Sequence, residues 1–77
     1  MSFSVLDTVV LTRDVPEQGL LRGDMGAIVH VHSADAYEVE FVQASGQTQA
    51  LVTLPADAIR AIQDGDLVAV RQVHQSA

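Results

Sequence analysis

Cysteine is absent from this 77-residue sequence, so neither a disulfide framework nor a thiolate metal site can reinforce the fold. The absence fits a reducing cytoplasm, which is the expected location. Aromatic residues are almost as scarce, with only Phe3, Tyr37 and Phe41. Domains that grip proline-rich peptides use a cluster of surface aromatics, and these three are too few to line such a groove. Positive charge is also in short supply. Ten acidic residues face four basic ones, for a net charge of −6. The four are all arginine (Arg13, Arg22, Arg60 and Arg71), and they are scattered. Binders of nucleic acid concentrate positive charge to displace counterions, so this balance argues against nucleic acid and anionic membranes as partners. No run approaches the ~20 apolar residues of a membrane helix. Residues 1–7 lack the basic and apolar regions of a signal peptide.

What is present is a series of short β-forming runs separated by turn residues. Residues 7–13 read as a first strand, followed by a Pro- and Gly-punctuated loop over 14–19. Gly23 and Gly26 precede the next strand, where glycine permits positive φ and close backbone approach. Residues 27–33 and 37–42 alternate cleanly and form a hairpin. Alternation places Val29, Val31, Val39 and Phe41 on the core face, pairing Val31 with Val39 and Val29 with Phe41. Residues 48–54 follow, with Ala50, Val52 and Leu54 inward and Leu51 outward. Residues 55–58 read as a 3₁₀ turn and 59–62 as a short strand; the alternative is a helix over 55–63 with Pro55 at its first position. Residues 67–73 read as a last strand at a sheet edge, and 74–77 as a frayed end.

Together these elements predict an all-β fold: one small SH3-like barrel of five strands with a one-turn 3₁₀ helix and an added C-terminal strand. A single domain, 1–77, holds a barrel core over about 6–62 and the extra strand over about 67–73. The runs at 6–11, 19–20, 22–29, 37–42 and 54–57, with Gly46 and Val70-Arg71, resemble a family of small bacterial proteins of unknown function with an SH3-like fold. The resemblance spans nearly the whole chain and implies the fold; it brings no activity, cofactor or catalytic residue. The glycine-flanked strand start also resembles that of ribosome-associated SH3-like modules, which are typically basic.

One constellation stands out. With the alternating register, His30 lies opposite Glu40 and His32 opposite Glu38, a set of side chains able to ligate zinc or a similar ion. The plainer reading is a polar outer face with two cross-strand charge pairs, and it is preferred here; no catalytic residue, cofactor or metal is assigned. The carboxylates of Asp7, Asp14, Glu17, Asp24, Asp57, Asp64 and Asp66 lie mostly in turns, where Asp accepts backbone hydrogen bonds. Arg22-Gly23-Asp24 matches an adhesion tripeptide, but its glycine is explained by a turn. Val10, Ile28, Val42, Leu51, Val68 and Val70 fall out of phase with the core, so some should be covered by the C-terminal segment and the rest should form an apolar patch. The expected function is therefore a non-enzymatic protein-interaction module, with an antitoxin-like or accessory role as a variant. A homodimer through the C-terminal edge strand is one form of it, and RNA or ribosome association is the alternative.

Overall fold

The structure is a computed structural model that describes residues 2–73. It is all-β, with two one-turn 3₁₀ helices. Strands β1 (Thr8–Leu11), β2 (Met25–Ser33), β3 (Ala36–Val42), β4 (Thr48–Pro55) and β5 (Ile59–Ala61) form one antiparallel sheet in the order β4-β3-β2-β1-β5. The sheet is not closed, because β4 and β5 lie at its two ends. The 3₁₀ turns are η1 (Pro16–Gln18) and η2 (Ala56–Ala58). The turn reading of 55–58 holds, and the helix alternative does not.

Why the chain folds this way is clearest at β3. Tyr37, Val39 and Phe41 alternate inward and are buried. They meet Val9, Leu11, Val15, Leu20, Ile28, Ala50, Leu54, Ala58 and Ile59 in one apolar cluster, with Phe3, Val52 and Ala56 packed against it. Burial of each large side chain contributes about 1.5–3 kcal/mol. Tyr37 is fully buried, and its hydroxyl is satisfied at both ends: it donates to the Ala34 carbonyl at 3.0 Å and accepts from the Phe3 amide at 3.4 Å. Gly26 packs directly against this core. A Cβ there would sit 2.6 Å from Val39 Cγ1 and 2.9 Å from both the Glu40 carbonyl and Phe41 Cε1. Close approach, the second use of glycine foreseen at this strand start, is the reason for Gly26, while Gly23 takes the positive φ (94°).

The register of the β2–β3 hairpin differs from the alternating one. Ile28 pairs with Val39, His30 with Glu38 and Val31 with Tyr37, with irregularities between Ile28 and His30 and between Val31 and Ser33. Each irregularity adds a residue to β2 that β3 does not match, as in a β-bulge. Clean alternation cannot survive two such insertions. Ile28 therefore takes the core position, while Val29 and Val31 are exposed. On β4 the expected inward set is observed, with Ala50 and Leu54 buried, Val52 partly buried and Leu51 exposed.

The expected strand over 67–73 is absent: these residues have no strand conformation, and no backbone hydrogen bond joins them to other described residues. Residues 62–73 form instead an irregular arm. The frayed end foreseen over 74–77 lies outside the described residues. No helix among the described residues is long and apolar enough to cross a membrane.

Candidate functional site

Two places carry enough side-chain organisation to be considered as sites. The first is the histidine face of β2. His32 Nε2 lies 2.8 Å from Glu38 Oε1, within hydrogen-bond distance, so one of the two expected His–Glu contacts is present. The other is not. Glu40 pairs in register with Ala27 and Leu51, and its Oε2 accepts the Thr48 hydroxyl at 2.6 Å. His30 stands edge-on to His32, with ring centroids 4.5 Å apart. The bulges in β2 thus divide the four-residue set of His30, His32, Glu38 and Glu40. Among the described residues, no three His, Asp or Glu side chains gather closely enough to hold a metal ion. An exposed pair of this kind contributes about 0.2–1 kcal/mol.

The second place is the arm. It leaves β5 through a turn over 63–66 that one aspartate closes. Asp66 accepts the Gln63 amide at 2.7 Å and takes both guanidinium arms of Arg60 at 2.9 Å. The Arg60 guanidinium, with the Gln63 amide second, holds the Asp66 carboxyl below its ordinary value, and Asp66 in turn raises Arg60. Arg60 stands opposite Val10 on the face of the sheet away from the main cluster, with Met25 on the other flank of Val10. Val10 is buried there, outside the main cluster.

At its far end the arm returns to the loop before β2. Arg71 Nε donates to Asp24 Oδ1 at 2.8 Å, and Nη2 donates both to Asp24 Oδ2 and to the Gly19 carbonyl, the latter at 3.0 Å. Asp24 also accepts the Leu21 amide at 2.8 Å. The Arg71 guanidinium is the main reason that the Asp24 carboxyl lies below its ordinary value; partial burial works the other way. Beneath this attachment lies an open cleft of about 870 Å³. Its sheet side includes Leu20, Asp24, Met25, Phe41, Val42 and Gln49, and its arm side residues 69–73. Between the two attachments the arm presents its apolar side chains to water: Leu67 is 94% exposed, Val68 71% and Val70 98%.

With this geometry in hand, the family can be placed. The sequence pattern of a domain of unknown function, DUF4926, matches residues 5–61. The chain belongs to that family. The DUF4926 match ends at the last residue of β5, so it contains the whole sheet and stops before the arm. It supplies no activity, ligand or catalytic residue. No curated protein and no solved structure matches the chain.

Most of the acidic residues named from the sequence are committed to turns. Asp7 accepts the Ser4 amide at 2.8 Å and Asp14 the Arg22 amide at 2.7 Å, while Asp24 and Asp66 act as described above. Asp57 departs from the turn-capping role expected of it. Its side chain makes no cap, and lies 3.9 Å from Arg13 instead. Sequence reasoning missed the Asp24–Arg71 attachment, which joins residues 47 positions apart. The available signal was an arginine beside an apolar run in a chain with only four arginines.

Proposed function

We propose that this DUF4926 protein is a non-enzymatic, cytoplasmic protein-interaction module built on an SH3-like barrel that stays open. The element order supports the barrel, with a 3₁₀ turn between β4 and β5 and β5 paired to β1. The observation that carries the interaction reading is the arm. Burying a Leu or Val side chain is worth about 1.5–3 kcal/mol, and the arm holds three of them in water between two arginine–aspartate attachments. A segment of that kind gains most from being covered by another protein. The use of Asp7, Asp14, Asp24 and Asp66 in turn and arm hydrogen bonds supports a role other than acid–base chemistry. An accessory or antitoxin-like role is one form of the same reading.

The test compares the parent with Leu67→Ser/Val68→Ser/Val70→Ser as bait in its native cytoplasm. Protein recovered by the parent should be lost by the variant. Equal recovery by both counts against the arm, and recovery of RNA by both, with filter binding at low salt, transfers the function to RNA or ribosome association.

A further inference from the structure

The far end of the arm is held by a small receptor. Asp24 and the Gly19 carbonyl offer Arg71 three hydrogen bonds in a fixed geometry. That receptor is also organised by contacts independent of the arm. Asp24 is positioned by the Leu21 amide, and Gly19 closes η1 in a left-handed conformation with φ 70°. Bidentate arginine–carboxylate pairs select geometry as well as charge. The link that delivers Arg71 to this receptor is loosely held: residues 67–70 have no backbone hydrogen bond to other described residues, and Leu67, Val68 and Val70 lie in water. Among the described residues, no hydrogen bond from the link itself holds it to its own chain.

We propose that the arm exchanges between two copies of this chain, so that Arg71 of each seats on Asp24 and Gly19 of the other. The bonds that seat the arm are the same within a chain and between chains, which makes exchange a low-cost route to a dimer. Two links running antiparallel about the two-fold axis would cover the apolar side chains that one copy leaves exposed. Charge fits this occupant. Residues 67–70 carry no charge, and Asp24 neutralises Arg71, so two chains of net charge −6 meet at a seat whose own charges cancel. A basic partner would find nothing on the link to recognise. A second copy is thus the partner for the interaction surface proposed above, and the inference rests on that reading.

A charge-reversal pair tests the exchange. Arg71→Asp and Asp24→Arg each place like charges at the seat, both within a chain and between identical copies. Mixed in equal amounts, the two variants match only across molecules. Light scattering after size exclusion should show each variant alone at the mass of one chain and the mixture at twice that mass, with the larger species lost in high salt. A mixture that stays at the mass of one chain overturns the exchange. Circular dichroism establishes that both variants are folded. A second measurement uses the chain's lack of cysteine. Ala69→Cys should oxidise to a covalent dimer faster than the exposed control Ala34→Cys by on the order of tenfold or more, since exchange raises the local concentration of the thiols; equal rates overturn the proposal. The two readings fail differently. A monomeric mixture whose partner capture still depends on Leu67, Val68 and Val70 sinks the exchange alone, whereas capture indifferent to those residues as well sinks both.

Discussion

The sheet and the arm solve the same problem of holding chain in place, but with opposite means. Residues 8–61 are held by five paired strands around a continuous apolar cluster. Beyond the Ile62 amide, which donates to the Thr8 carbonyl, the arm is joined to the rest of the described chain by side chains: Arg60 on Asp66 at one end and Arg71 on Asp24 and the Gly19 carbonyl at the other. Cluster burial is non-directional and sums over many contacts. The arm depends on two charged pairs and leaves its own apolar residues outside. The difference teaches that stability and availability are separated along this chain. Substitutions in the sheet should change whether the protein folds, and substitutions in the arm should change what it presents.

The strongest way to test that division is at the middle of the cluster. Phe41→Ala removes a buried β3 ring whose cross-strand partner is Ala50 of β4 and is expected to cost about 3–5 kcal/mol, read as a lowered urea midpoint. A loss below about 1 kcal/mol would deny the cluster its role. Next in size is Gly26→Ala. Its methyl group would meet backbone as well as side chain at under 3 Å, and the expected cost is about 1–3 kcal/mol. An unchanged thermal midpoint would mean that β2 and β3 are farther apart than described.

Leu6→Gly should act in the opposite direction. Leu6 has φ 77° and is largely exposed. An L-residue pays about 1–2 kcal/mol in that region, while glycine adds about 0.4–1 kcal/mol of freedom to the unfolded chain. A net gain of roughly 0.5 kcal/mol is expected from those opposing effects, and a destabilised variant would show that the exposed side chain packs on something. The smallest effect on stability belongs to the arm. Asp24 and Asp66 both have lowered carboxyl values. Their contribution is present above the unfolded value of about 3.9 and fades as pH falls through the folded one. Acid should therefore free residues 67–73 before the sheet melts. NMR relaxation of those amides on acidification is the measurement, and simultaneous loss of arm and sheet signals would merge the two regions into one.

Much of the sheet was legible in the sequence because its signals are local. Alternation over 37–42 put Val39 and Phe41 inward, and Pro55-Ala56-Asp57-Ala58 marked the turn before β5. The bulges in β2 were not legible. His-Val-His alternates as well as any strand does, and only the partner strand reveals an unmatched residue. That one omission exchanged Val29 and Val31 for Ile28 in the core and separated His30 from Glu40. The arm failed for a different reason. Leu67-Val68-Ala69-Val70 has the composition of a strand, but strand character is completed by a neighbour's backbone, and among the described residues none is paired to it. The Asp24–Arg71 attachment is nonlocal and leaves no periodic trace.

The pairing of β1 with β5 sets an order of assembly. Strands β2, β3 and β4 form successive hairpins whose partners are close in sequence. Val9 must find Ala61, across most of the chain, before β5 is in place. Loop closure of that length is paid for before its contacts are made. Folding should therefore nucleate in the β2–β4 meander, with high φ-values for Val39 and Phe41 and low ones for Val9 and Ile59. The arm hangs from β5, so it is the last part of the chain to be seated. By then the Asp24 receptor of a neighbouring molecule can be just as complete as its own.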